Sequence, residues 1–187
     1  KQKRAQEIKN ALFKLRDVEA IKFGDAVALA ERAAAKTGVR AAYVLAIIQQ
    51  ESNLGANVGQ CYLADAATGA GTRKSNGNAV QNVMKASRDV QPFLDITKAL
   101  GRDPYKTVVS CPIASVGGYG GAMGPAQFIP STWNMFAGKI ANNVGRSASD
   151  PWNPEDAFMA SALYLADLGA SSQNYTAERN AACRYYS

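Results

Sequence analysis

Apolar residues Ile8, Leu12, Leu15 and Val18 recur at spacings of four and three through the highly charged stretch Lys1–Lys22, the stripe of an amphipathic or coiled-coil-like helix. It reads either as a stalk toward a further partner or as a first helix packed on the core. Asp25 is placed to cap a helix that reaches Lys36 and ends near Gly38. From about Val39 to Ser52 the run Ala41-Ala42-Tyr43-Val44-Leu45-Ala46-Ile47-Ile48 is apolar on nearly every face, which predicts a buried helix. It leads into Gln49-Gln50-Glu51-Ser52-Asn53, with Gly55 as its stop. Gly59–Ser87 is rich in Gly, Asn, Thr and Ser without sustained periodicity, the pattern of a long loop that is functional or pinned by a crosslink. Further helices are expected over Arg88–Leu100, from a Ser131 cap to Ile140, from Asn153-Pro154 to Leu168, and from near Thr176. No run of alternating strand positions and no internal repeat is present, so the predicted fold class is mainly α.

Composition narrows this further. A chain of 187 residues that is 47% apolar and 19% charged is one globular domain, not a disordered chain. Its apolar stretches, such as Tyr43–Ile48, fall far short of the roughly 20 residues of a membrane-spanning helix. Twenty-one Lys and Arg against 15 Asp and Glu give +6, which favours an anionic partner such as a nucleic acid, an acidic lipid surface or a cell-wall polymer. The absence of histidine excludes a Ser-His-Asp triad, a Cys-His pair and an HExxH zinc site, and leaves acid–base work to carboxylates, Tyr, Lys or Cys. Of the three cysteines, Cys61 and Cys111 lie in segments rich in Gly, Pro and Ser, and Cys183 in a helical run. We expect Cys61 to pair with Cys111 in an oxidising compartment and Cys183 to be a buried thiol, without metal binding; three reduced thiols in a cytosolic protein are the alternative. The sequence opens at Lys1 without an initiator Met or a signal peptide, so any targeting segment is expected to lie outside it.

Glu51 stands out chemically. At the end of an almost wholly apolar helix, desolvation and the negative end of the helix dipole both disfavour its charged form, which suits a general acid; a solvated Glu at a helix end is the plain alternative. Gly117–Gly124 matches neither GxGxxG nor a GK[ST] loop. Its glycines instead allow close backbone approach to a polar ligand such as a sugar. Gln127 with Tyr119, Phe128 and Trp133 would suit saccharide binding, although core packing is the better reading of Phe128 and of Trp133 taken singly.

Three segments taken in order resemble lytic transglycosylases of peptidoglycan: Glu51-Ser52-Asn53-Leu54-Gly55, Gly121–Trp133 and Asp150-Pro151-Trp152-Asn153-Pro154-Glu155-Asp156-Ala157. The terminal Arg184-Tyr185-Tyr186-Ser187 is similar to the start of a fourth motif of that family. The similarity is to the membrane-bound B type, within the soluble lytic transglycosylase and goose-type lysozyme superfamily, and runs from about Ala26 to Ser187. It implies a lysozyme-like domain over 23–187, with residues 1–22 as a separate helix and an insertion over about 56–116. It also implies that Glu51 protonates the bond between N-acetylmuramic acid and N-acetylglucosamine. Glu51 would then act as base on the muramyl 6-hydroxyl, giving a 1,6-anhydro product with no second carboxylate. Ser52, Met123, Ala126, Gln127, Tyr119 and Tyr185 are the implied substrate-binding residues, Ala126 through its backbone. The sequence departs from the family where Pro125-Ala126 replaces Leu-Met and Tyr186 replaces Asn. The insertion carries both Cys61 and Cys111, so a disulfide-pinned subdomain over the cleft is expected. The implied setting is extracytoplasmic, with peptidoglycan strands as partner, a coiled-coil or envelope partner for the N-terminal helix, no nucleic acid and no cofactor. Two other readings stay open: a muramidase using water, with Asp65 or another loop carboxylate as base, and a non-catalytic wall-binding domain.

Overall fold

The computed structural model describes residues 20–113 and 118–185. Six α-helices carry it: α1 (Phe23–Thr37), α2 (Ala41–Ser52), α3 (Gln91–Ala99), α4 (Pro130–Val144), α5 (Pro154–Asp167) and α6 (Tyr175–Tyr185). Helix α5 is the hub, packing on α1, α2 and α4. Small residues on its inward faces, Ala157, Ala160 and Ala162, let neighbouring helices approach closely around Phe158 and Leu165. None of the helices is long and apolar enough to cross a membrane, among the described residues.

Local sequence signals explain most helix ends. Asn153 caps α5 by accepting a hydrogen bond from Glu155 N at 3.0 Å, with Pro154 in the first turn where its missing N–H costs nothing. Gly38 ends α1 in the left-handed conformation. Elsewhere tertiary partners override the local expectation. Lys22, in an extended conformation, occupies the cap position of α1 and makes no side-chain cap; Asp25 instead lies in the first helical turn, where its charge still favours the dipole. Ala20–Lys22 are not helical, so the last three residues of the stretch expected to be a helix up to Lys22 are irregular chain; the rest of that stripe lies outside the described residues. Ser131 does not cap α4 either. Buried Asp89, 42 residues away, accepts from Ser131 N at 3.3 Å and from Ser131 Oγ at 2.7 Å, satisfying the exposed N-terminal amide from a distance. Helix α4 then runs past Ile140 to Val144 and its Gly145 cap. The helix expected from Arg88 opens as a π-turn over Ala86–Val90 before α3 begins.

The stretch expected to be a loop without strands contains a small antiparallel sheet: β1 (Cys61–Leu63), β2 (Gly71–Arg73) and β3 (Ala79–Val80), in that order. The strands are too short for an alternation to show in sequence; their register is set by the turns between them and by packing of Leu63 and Val83 into the core. Cys61 is disulfide-bonded to Cys111, and Cys61 also pairs through its backbone with Val109. The sheet is thus fastened to the segment that returns toward the rest of the domain. Cys183 is exposed on α6, contrary to the expectation of a buried thiol; the apolar face of α6 instead presents Ala181 inward.

Candidate active site

Glu51 sits half-buried in the last turn of α2. The chain that follows is unusual. Asn53, Leu54 and Gly55 are all left-handed, at φ 51°, 52° and 82°, a conformation that is uncommon for Leu. The turn is held because Ile21 N donates to Leu54 O at 2.7 Å, Asn57 N donates to Ser52 O at 2.8 Å, and Gly55 N donates to Ser52 Oγ at 2.9 Å. Backbone strain that the surroundings fix in place is typical of functional turns.

Ser52 reaches across the fold. Its buried hydroxyl donates to Pro125 O at 2.7 Å, which ties the helix end carrying Glu51 to the tight turn Gly124-Pro125-Ala126-Gln127. Three other contacts fix that turn. Met123 and Phe128 pair as an antiparallel bridge at its base. Gly124, at φ 60°, lies so close to Pro151 that a Cβ would stand 1.9 Å from Pro151 O. Tyr185 on α6 brings its hydroxyl to 3.5 Å from Ala126 O and 3.1 Å from Ser161 Oγ. The structure therefore links Ser52, the turn carrying Ala126 and Tyr185 to one another at the end of the helix that bears Glu51, with Gln127 on the same turn. Gln127 is itself left-handed, at φ 54°, and its amide nitrogen donates back to Gly124 O at 2.8 Å.

The third sequence motif proves to be the footing of this turn. Asp150 accepts from Trp152 N at 2.9 Å and from Arg102 Nη2 at 2.9 Å, and Arg102 lies over the Trp152 ring at 5.0 Å. Asp156, fully buried, accepts from Asp150 N at 2.7 Å and from Arg146 at 2.6 Å. Desolvation pushes its carboxyl up to about 6, against those two partners, which favour the charged form.

Some expected substrate residues have other tasks. Met123 has no exposed surface, so the contact expected of it with substrate gives way to packing beneath the turn. Phe128 and Trp133 are buried in an aromatic cluster with Phe136, Tyr164 and Tyr185, so neither offers a face for sugar stacking. Tyr119 is the exception: it is 49% exposed and lies beside Lys85 at the edge of the insertion. Asp65 belongs to the β1–β2 turn, where Ala67 N and Thr68 Oγ1 donate to its two oxygens at 2.8 and 2.7 Å. Those bonds, the one from Thr68 foremost, hold its carboxyl below the usual range, which makes it a poor general base near neutral pH. Among the described residues no group of three or more His, Cys, Asp or Glu is arranged to hold a metal ion.

The sequence missed Ser52's actual bond, the Gly124–Pro151 approach and Lys85. The first two are contacts between distant segments, and no local pattern reports them. The approach of Lys85 to Tyr119 is likewise a contact between separate segments, and Lys85, just before the π-turn Ala86–Val90, carries no signal of it in sequence.

The helical domain thus sets the end of α2, which bears Glu51, against the tight Gly124-Pro125-Ala126-Gln127 turn through the Ser52 to Pro125 hydrogen bond. The transglycosylase SLT domain family matches residues 20–182, and the chain belongs to that family; its domain is of the lytic transglycosylase kind. Solved structures agree. Escherichia coli lytic transglycosylase SLT35, determined in complex with bulgecin A, is 25% identical, with a TM-score of 0.54 over 79% of this chain and 41% of that one. Pseudomonas aeruginosa SltB3, in complex with NAG-NAM-pentapeptide, is 26% identical, with a TM-score of 0.51 over 75% and 33%. Soluble lytic transglycosylase SltB1 of the same organism, 23% identical, shares the fold with a TM-score of 0.53 over 88% and 57%. The chain thus spans between a third and three-fifths of these relatives' length. No curated protein matches it.

Proposed function

We propose that this domain cleaves the β-1,4 bond between N-acetylmuramic acid and N-acetylglucosamine in peptidoglycan, with Glu51 as the single acid–base group. Glu51 donates its proton to the glycosidic oxygen as the bond to muramyl C1 breaks. The resulting carboxylate takes the proton of the muramyl 6-hydroxyl, whose oxygen closes on C1 to give the 1,6-anhydro sugar. No water enters, so no second carboxylate is required, unlike the two-carboxylate glycosidases. The observation that carries this reading is the Ser52 to Pro125 hydrogen bond of 2.7 Å, which sets the helix end bearing Glu51 against a turn with backbone groups suited to an acetamido group. Family membership and the NAG-NAM-pentapeptide bound by SltB3 support the substrate class.

In this reading Ser52 and Tyr185 orient the turn, the backbone at Ala126 and the Gln127 side chain contact sugar, and Tyr119 flanks the outer subsites. The Cys61–Cys111 disulfide supports an oxidising, extracytoplasmic setting, where the wall is found. The +6 charge suits a glycan bearing muramyl and peptide carboxylates. The apolar stripe Ile8, Leu12, Leu15 and Val18 would serve a coiled-coil or envelope partner. The reading is tested by mass spectrometry of sacculi digested with wild type and Glu51→Gln. Anhydromuropeptides from wild type alone are expected; reducing-end muropeptides, or equal release by Glu51→Gln, would overturn it.

A further inference from the structure

Just after the insertion, the segment Tyr119–Gly121 is clamped between two strands of chain that belong to it. On one side Gly120 N donates to Asn82 O at 3.0 Å, and a Cβ on Gly121 would stand 3.2 Å from Val83 O. On the other, Gly121 N donates to Ser110 O at 2.9 Å, and a Cβ on Gly120 would stand 2.3 Å from that same oxygen. Ser110 precedes Cys111, whose disulfide anchors it to β1. Tyr119 therefore rises from a rigid base, with a half-exposed ring. Next to it, Val83-Met84-Lys85 brings the Lys85 ammonium to 6.0 Å from the ring centroid. Lys85 makes no ion pair among the described residues; the nearby carboxylate of Asp89 is taken up by Arg88 and by Ser131.

The same segment runs directly into the candidate active site. Ser110 N donates to Ala122 O at 2.8 Å, Met123 pairs with Phe128, and the 124–127 turn follows. Tyr119 and Gly124 are five positions apart, so the two lie at most about 18 Å apart along the chain, within the span of a few sugar units. A glycan strand running from Glu51 past the 124–127 turn toward Tyr119 would meet a rigid aromatic face with the Lys85 ammonium at its border. An aromatic ring suits the apolar face of a pyranose, and an uncommitted ammonium suits a carboxylate.

We propose that Tyr119 and Lys85 form an outer subsite that distinguishes muramyl residues carrying a peptide stem from bare glycan: the sugar stacks on Tyr119 and Lys85 pairs with a carboxylate of the stem. This rests on the peptidoglycan reading above and deepens it. Lys85 is a specificity-determining residue here and takes no part in the acid–base step. The pair is exposed, so its effect is modest and weakens with salt.

The test compares stem-bearing strands with the same strands stripped of peptide by an amidase. Lys85→Met is expected to raise KM about fivefold on stem-bearing strands, the upper end for an exposed ion pair, with kcat unchanged and no change on stripped strands. Tyr119→Ala is expected to weaken both substrates alike. Binding of stem-bearing and peptide-free fragments to Glu51→Gln, with and without Lys85→Met, gives the same comparison without turnover. Equal effects of Lys85→Met on the two ligands, or none on either, would overturn the proposal. Loss of the lyase reading would show separately, as wild type that releases no anhydromuropeptides.

Discussion

Ser52→Ala removes one hydroxyl and tests how the domain joins Glu51 to the turn it faces. In the native protein this oxygen donates to Pro125 O at 2.7 Å and accepts from Gly55 N at 2.9 Å, and the residue is 1% exposed. Alanine leaves a buried carbonyl and a buried amide without partners, and water has no room to replace the hydroxyl. Each such orphan costs about 1–3 kcal/mol, so a loss of roughly 2–4 kcal/mol is expected once partial relaxation is allowed. Left-handed Gly55 loses its brace at the same time as the tie to Pro125 is lost, so the end of α2 that bears the Glu51 carboxyl drifts relative to the turn. A misplacement of about 1 Å can cost on the order of 100-fold in rate. Urea unfolding gives the first quantity and anhydromuropeptide release the second, measured well below the unfolding midpoint. A variant within about 0.5 kcal/mol of wild type at unchanged m-value, cleaving at the wild-type rate, would refute the assignment of this bond as the link between the two halves of the site.

Gly124→Ala should be far worse than Gly77→Ala. Both positions have positive φ, at 60° and 71°, which costs an alanine about 1–2 kcal/mol, but only Gly124 would drive its Cβ to 1.9 Å from Pro151 O, whereas Gly77 meets nothing within 4 Å. Equal unfolding midpoints for the two variants would contradict the close approach. Replacing Cys61 and Cys111 together by Ala opens a loop with a sequence separation of 50, for which the chain-entropy relation gives about 4 kcal/mol; a loss under about 1 kcal/mol in denaturant unfolding would show that the insertion is held without the bridge. Asp156 titrates higher in the fold, at about 6, than its ordinary 3.8, so its contribution to stability is greatest at low pH and falls as pH rises through that interval. Glu178, lowered by its hydrogen bond from Arg40, works in the opposite sense, its contribution being lost as pH falls below the ordinary Glu range. Asp156→Asn should therefore flatten the decline in stability between about pH 4 and 7 while Arg146 keeps Glu155 at 2.9 Å; an unchanged slope in urea unfolding across that range would contradict this.

Much of the helical architecture is legible in local pattern, because helix formation is governed by neighbours three and four residues apart. Asn153-Pro154 announced α5, Gly38 the end of α1, and the apolar run Ala41–Ile48 a buried helix that delivers Glu51 to the edge of the core. The absence of histidine narrowed the acid–base chemistry to carboxylates, Tyr, Lys or Cys before any fold was considered, and the composition around Cys61 and Cys111 pointed to the bridge. What the tertiary structure decided are pairings between segments whose separation leaves no periodic trace. Ser52 meets Pro125 across 73 positions, and Asp89 rather than Ser131 caps α4 across 42. Three short strands formed where their register depends on turns and a disulfide, not on alternation. Met123, Phe128 and Trp133 went to the core because enclosing them removes apolar surface from water, leaving Tyr119, of the aromatic residues expected at the site, with an exposed face. Which polar groups end up together is set by the packing of helices already formed, and that packing is decided by the whole chain at once.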